Sequence, residues 1–133
     1  MSVNDMAAKI KQYLSAYNDI AFAFLFGSSA RGEVTTLSDV DIAIYFIRAV
    51  DFYRINGLRE DLSELLGRET DIVVLNNAAP IIRMQVLKKG TLILDLNRRL
   101  YNEFFVDTVK EYDDLKRTRK DIEDKILRGR IYA

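Results

Sequence analysis

Three acidic side chains and one tight turn are the features of this sequence that indicate chemistry. Gly27 and Ser28 are followed, after ten intervening residues, by Asp39-Val40-Asp41. Two carboxylates at positions i and i+2 of a strand point to the same face, where their like charges repel. A hard divalent cation relieves this repulsion and prefers oxygen ligands. The pattern therefore favours a site for a nucleoside triphosphate and its magnesium ions over a solvated sheet face.

The turn supplies the groups that suit phosphate. Gly27 allows the backbone to turn sharply and to approach a ligand closely. The backbone amides of Ser28 and Ser29, at the start of a helical turn, suit phosphate oxygens, and the Ser28 hydroxyl adds a donor. Arg31 is a candidate charge clamp over the phosphates or an ordinary surface residue, and Ser38 either contacts phosphate or only begins a strand. An ordinary strand-to-turn glycine with a capping serine is the alternative for the turn itself.

A third carboxylate is predicted to lie beside this pair. Asp71 opens the apolar run from Ile72 to Leu75, which is read as a strand. Another strand begins at Asp39, and a helix connects it to this one. The three elements together have the length of a right-handed crossover, which makes the two strands parallel. If the two strands are neighbours, Asp39, Asp41 and Asp71 meet at one end of the sheet.

The elements that position these residues can be read from hydrophobic spacing and from capping residues. The connection between the first two strands is about twelve residues long, so an antiparallel pair is favoured over a parallel crossover. We expect an α/β (α+β) fold with a mixed sheet of three or four strands backed by helices, in one domain of 133 residues. The predicted strands are 20–26, 39–46, 71–75 and 91–95. Four helices are predicted: the first from Ser2 or Asn4 to Asn18-Asp19, the second from after Asp51 to Gly67, the third from Pro80 to Gly90, and the fourth over 97–127.

Composition excludes several kinds of chemistry. The chain has neither Cys nor His, which removes disulfides, thiol nucleophiles and Ser-His-Asp triads. Lys plus Arg and Asp plus Glu both number 20, so strong binding of nucleic acid by charge is not expected. No apolar run approaches the ~18 residues of a membrane span, and the start of the chain lacks a signal-peptide pattern. These observations favour a cytoplasmic protein.

The remaining charged and aromatic residues have simpler interpretations. The basic residues of the third helix, Arg83, Lys88 and Lys89, are interpreted as solvated charges. The tyrosines on apolar stripes, Tyr13, Tyr17 and Tyr112, are interpreted as core residues. The last helix is predicted to be long enough to project beyond the domain. Its second half, from about Lys116, is nearly all charged, and we predict that it docks on a partner protein or a second copy. A solvated, partly disordered tail is the alternative.

The motifs at 27–32 and 38–43 resemble the signature of the nucleotidyltransferases related to DNA polymerase beta. More narrowly, they resemble the minimal nucleotidyltransferases (MNT) of the MntA-type antitoxins. The resemblance implies two magnesium ions held by the catalytic residues Asp39, Asp41 and Asp71. It implies transfer of AMP from ATP to a hydroxyl, with release of pyrophosphate. It also implies a partner, a HEPN-domain RNase toxin, whose tyrosine accepts the AMP. The long charged C-terminal helix is not explained by the signature.

Two other functions remain open at this point. One is a small-molecule nucleotidyltransferase similar to those that modify aminoglycosides, although 133 residues leave little room for its substrate-binding elements. The other is a non-catalytic antitoxin that binds nucleotide or simply associates with its partner, and the intact carboxylates count against it. The sequence leaves open the base of the triphosphate, the acceptor atom and the oligomeric state.

Overall fold

The described part of the chain contains four strands and four α-helices. A computed structural model describes residues 2–27 and 39–132, with side chains described as far as Arg128. In chain order the elements are α1 (Val3–Leu14), β1 (Ile20–Phe26), β2 (Val40–Phe46), α2 (Phe52–Leu66), β3 (Thr70–Val74), a 3-10 turn (Leu75–Asn77), α3 (Pro80–Lys89), β4 (Thr91–Asp95) and α4 (Arg98–Tyr132).

The strands form one mixed sheet in the order β3-β2-β1-β4. β1 pairs antiparallel with both β2 and β4, whereas β2 and β3 are parallel neighbours joined through α2. The predicted fold class, the antiparallel first pair and the parallel crossover are confirmed. As a result, the end of β1 and the beginnings of β2 and β3 lie at the same end of the sheet, which we call the carboxylate end.

Helices cover both faces of the sheet. α1 and α2 bury Met6, Ile10, Leu58 and Leu62 against one face. On the other face, a second cluster joins sheet residues to α3 and α4: Ala21, Phe22, Phe24, Ala43, Leu75, Val86 and Phe104. Strand alternation predicts that Val40, Ile42, Ile44 and Phe46 of β2 face the core, and all four are buried. The opposite face of β2 is covered as well, because Ala43 is fully buried and Tyr45 stacks on Phe22 with ring centroids 5.0 Å apart.

Several helix ends follow directly from local sequence. The Ser2 hydroxyl accepts a hydrogen bond from the Asp5 amide, and Asp51 caps α2 through the Arg54 amide. Gly67 ends α2 in the left-handed conformation, at φ 65°. Two predicted ends are wrong by a few residues. α1 stops at Leu14 instead of Asn18-Asp19, and α4 continues past 127 to Tyr132.

Two polar side chains fasten the end of the sheet opposite the carboxylates. The Asn76 amide accepts a hydrogen bond from the Phe46 N–H at 2.9 Å and donates one to its carbonyl at 2.8 Å. Arg83 donates to the carbonyls of Leu75 and Asn76 at 2.9 and 2.7 Å. The interpretation of Arg83 as a solvated helix charge is therefore wrong. Its guanidinium satisfies carbonyls that the short turn leaves without partners.

α4 has two halves of different character. Phe104 and Thr108 are buried in the first half, while every residue from Asp113 to Arg128 is exposed. No helix within the described ranges is both long and apolar enough to span a bilayer.

Candidate active site

The predicted site residues that the structure describes lie together at the carboxylate end of the sheet. Gly27 follows the last residue of β1, Asp39 immediately precedes β2, and Asp71 is the second residue of β3. Ser28, Ser29, Arg31 and Ser38, the remaining predicted nucleotide-binding residues, lie outside the described residues.

Asp41 and Asp71 are direct partners in the parallel pairing of β2 with β3. Adjacent strands are roughly 4.8 Å apart, and paired residues in register point to the same face. That face is the one covered by α3 and α4, because Ala43 and Val73, two residues further along each strand, belong to its apolar cluster. Asp71 and Asp39 are exposed and Asp41 is half-buried, so the pair opens to solvent just beyond the helices.

The electrostatics of Asp41 show that the acidic residues act on one another. Burial raises the pKa of the Asp41 carboxyl above its usual value, and the charges of Asp71 and Asp39 raise it further. Both neighbours are acids, and each makes the ionised form of Asp41 less favourable. A cation at this position would reverse that effect by pairing with the carboxylates.

Gly27 is packed directly against Asp41. Its φ is +77°, in the left-handed region, and a Cβ built at this position would overlap Oδ2 of Asp41. Position 27 therefore excludes a side chain for two independent reasons: the backbone conformation and the space taken by the carboxylate. The sequence indicates the first reason through the turn. It does not indicate the second, which depends on the conformation of the Asp41 side chain.

The donor set at this end of the sheet suits magnesium bound together with phosphate. Among the described residues, no three acidic side chains converge closely enough to enclose one ion by themselves. Magnesium commonly uses one or two carboxylates and completes its octahedron with water and substrate phosphate oxygens. Half-buried Asp41 beside exposed Asp71 fits that arrangement better than a closed cage made of protein alone.

A separate cavity lies at the opposite end of β2 and β3. It has a volume of about 280 Å³ and is lined by residues that follow these strands: Ile47, Arg48, Ala49, Val50, Val74, Asn76 and Asn77. None of the three predicted carboxylates lines it.

Comparison with known proteins agrees with this fold and shows the family. The family described as polymerase beta, nucleotidyltransferase matches residues 8–99. A predicted protein adenylyltransferase of Methanocaldococcus jannaschii is 30% identical over 94 residues, which are 71% of this chain and the whole of that protein. Protein adenylyltransferase MntA of Shewanella oneidensis is 29% identical over 105 residues, 78% of this chain and 74% of MntA.

A solved toxin–antitoxin structure with AMP-PNP contains a chain of the same fold. It superposes with a TM-score of 0.78 at 26% identity, covering 91% of this chain and 98% of that chain. The matched strands and helices, with carboxylates at the end of a mixed sheet, define a nucleotidyltransferase. This chain belongs to the polymerase beta nucleotidyltransferase family, and the resemblance indicated by its sequence motifs is confirmed.

Proposed function

We propose that this chain is a magnesium-dependent protein adenylyltransferase that transfers AMP from ATP to a tyrosine of a HEPN-type toxin and so acts as its antitoxin. The observation that carries the proposal is the Asp41–Asp71 register pair, with Gly27 packed against Asp41. The names of the M. jannaschii and S. oneidensis relatives support adenylyl transfer to protein. The toxin–antitoxin structure with AMP-PNP supports both the adenine nucleotide and the kind of partner.

In the proposed site, Asp39, Asp41 and Asp71 hold two magnesium ions together with the triphosphate. Gly27, Ser28, Ser29, Arg31 and Ser38 form the phosphate-binding part. Bound magnesium stabilises negative charge on the phosphates and lowers the pKa of the attacking hydroxyl.

The transfer itself balances with groups already named. The acceptor oxygen bonds to the α-phosphorus of ATP while the bond between that phosphorus and the α–β bridging oxygen breaks, so pyrophosphate leaves. The hydroxyl proton passes to a carboxylate, for which we assign Asp71, the more exposed member of the register pair. The half-buried Asp41 would be a ligand of the magnesium that accompanies the triphosphate. The chain has neither His nor Cys, and this reaction requires neither.

The proposal also fixes the setting of the protein. An ATP-dependent enzyme without cysteines suits the cytoplasm, where we place it. We further propose that residues 1–133 form a single nucleotidyltransferase domain, with α4 projecting in part.

The direct test is transfer of label from α-³²P-ATP to a purified cognate HEPN-domain toxin. Wild type should label the toxin on tyrosine, and Asp71→Asn should bind Mg-ATP but transfer AMP at least a hundredfold more slowly. Asp107→Asn, which changes an exposed carboxylate on α4, is the matched control and should react like wild type. Labelling at an equal rate by the Asp71 variant would contradict the role assigned to that residue. Absence of labelling by wild type would contradict the proposed function.

A further inference from the structure

The exposed half of α4 begins at the carboxylate end of the sheet. Tyr112 is the last half-buried residue of α4, and Lys88, near the end of α3, lies over its ring at 5.4 Å. α3 ends at Lys89, and a Cβ at the following Gly90 would lie 3.4 Å from Phe24 and Phe26 of β1. β1 in turn leads to Gly27 and Asp41. The exposed residues 113–128 therefore start from the same end of the domain, and from the same face of the sheet, as the Asp41–Asp71 pair.

The apolar face that packs α4 onto the domain continues into this exposed half. Leu115, Ile122 and Ile126 follow Phe104 and Thr108 at helical spacing, so they lie on the same side of the helix. Within the domain this side is buried. Beyond it, the three side chains are 46%, 53% and 52% exposed. We call these three residues the α4 stripe.

Basic residues border the α4 stripe. Arg119 and Lys125 lie on either side of Ile122 and Ile126, and Arg119 is ion-paired with Glu123 at 3.1 Å. Lys116 and Lys88 both lie over Tyr112, where the stripe leaves the domain. The run 116–120 carries four cations and no anion in a chain whose net charge is zero. A surface that covers the stripe should therefore present apolar side chains bordered by acidic ones.

The relatives separate this half of α4 from the nucleotidyltransferase fold itself. The family match ends at residue 99, just inside α4, and the M. jannaschii relative is complete with 94 matched residues. The chain from the toxin–antitoxin structure, by contrast, matches 91% of this chain, so most of α4 must be included. The exposed half is an addition to the fold, and it is shared with a chain that was solved in complex with a partner protein.

A second copy of this chain is a poor occupant for the stripe. A stable protein interface uses about 20–30 residues on each side. Two stripes facing each other would contribute only three apolar side chains from each copy. A partner that also reaches the domain edge would bury the stripe together with the surface around the carboxylates.

We propose that the α4 stripe is the docking surface for the acceptor protein, and that it holds an acid-bordered apolar strip of that protein so that its hydroxyl reaches the Asp41–Asp71 pair. This inference rests on the proposed function for the identity of the acceptor. It makes α4 the element that selects a protein over a small molecule as acceptor.

The test compares two double variants of the same kind. Ile122→Asp/Ile126→Asp changes the stripe, and Val106→Asp/Leu127→Asp changes side chains of similar exposure, 48% and 54%, that lie off the stripe. The probe is the cognate HEPN-domain toxin. Its binding is measured by calorimetry without nucleotide, and its labelling is measured with α-³²P-ATP. Circular dichroism establishes that both variants remain helical.

We expect the stripe variant to bind the HEPN protein at least tenfold more weakly and the control variant to bind within twofold of wild type. Both should bind Mg-ATP like wild type. Equal binding and labelling of the HEPN protein by both variants would overturn the docking surface while leaving the proposed function standing. Loss of partner binding in the stripe variant, with no ATP binding by any form, would support the docking surface and overturn the proposed function.

Measuring self-association distinguishes the two candidate occupants of the α4 stripe, which are the HEPN protein and a second copy of this chain. Sedimentation equilibrium should give a monomer for wild type and for both variants in the absence of the HEPN protein. A wild-type dimer that the stripe variant converts to monomer would assign the stripe to a second copy, and would overturn the proposal.

Discussion

The two ends of β2 differ in how their polar groups are satisfied. At one end, Asp41 lies beside Asp71, and the negative charges of its neighbours raise its pKa. At the other end, the Asn76 amide satisfies both backbone groups of Phe46. A cation can relieve the repulsion at the first end, whereas the backbone groups of Phe46 at the second end already have partners within the protein. This difference indicates that the carboxylate end is built for binding and the Asn76 end for stability.

The largest expected effect is the loss of activity when one charge is removed from the carboxylate end. Asp41→Asn should lower the rate of AMP transfer at least a hundredfold, because one of the two paired metal ligands is lost. The fold should be retained, since the side chain is half-buried and no core volume changes. The rate of labelling from α-³²P-ATP and the free energy of unfolding in urea measure the two effects. A variant that has lost both activity and stability would contradict the distinction between the two ends.

The next effect comes from the space that Gly27 leaves for Asp41. Gly27→Ala should destabilise the fold by about 1–2 kcal/mol through its left-handed conformation and should also displace the Asp41 carboxylate. Gly67→Ala is a matched control, because Gly67 has φ +65° and no atom within 4 Å of a built Cβ. Both variants should lose similar stability in urea, but only Gly27→Ala should lose AMP transfer, by tenfold or more. Equal activity in the two variants would show that the contact with Asp41 has no functional role.

A substitution at the Asn76 end of β2 should lower stability and leave AMP transfer unchanged. Asn76→Ala removes both hydrogen bonds to Phe46 and should lower the free energy of unfolding by about 2 kcal/mol. AMP transfer by the folded fraction should stay within twofold of wild type. Asn77→Ala, at the exposed neighbouring position, should change neither quantity. Activity lost in proportion to stability would mean that the two ends of the strand are coupled.

The smallest expected effect is a pH dependence of stability. The pKa of Asp41 is raised in the folded state, so the folded protein holds this proton more tightly than the unfolded chain. The stabilisation from protonation is fully present below the unfolded pKa of about 3.9, and it is lost as the pH rises through the raised pKa. Asp41→Asn should therefore match wild type at low pH and become more stable than wild type at neutral pH. Water screening should keep the gain below about 1 kcal/mol.

Urea unfolding of the Asp41→Asn variant and wild type across this pH range, without magnesium, measures the difference. A variant less stable than wild type at neutral pH would contradict the raised pKa of Asp41 in the folded state.

Local signals were sufficient to predict most of the fold. The β1 and β4 bounds are those predicted, and α2 begins after Asp51 and ends at Gly67 because capping residues act within one turn. The parallel orientation of β2 and β3 follows from the crossover length and is confirmed. The structure adds that the two strands are neighbours and that Asp41 pairs with Asp71 in register.

Contacts between residues that are distant in the sequence could not be predicted from local signals. The Asn76–Phe46 hydrogen bonds join residues 30 positions apart, and Arg83 binds carbonyls that become available only after the 3-10 turn forms. Burial of both sheet faces depends on where α3 and α4 cross the sheet. At the site, the overlap of a position-27 Cβ with Asp41 depends on one side-chain conformation.

Magnesium-dependent ATP binding tests the central claim, that the carboxylate end of the sheet is a metal–nucleotide site, most directly. Calorimetry should detect ATP binding by wild type in magnesium and none after chelation with EDTA. The double variant Asp39→Asn/Asp41→Asn should fold and should bind Mg-ATP at least a hundredfold more weakly. Equal Mg-ATP affinity in wild type and in the double variant, or ATP binding that is unchanged by EDTA, would contradict the account.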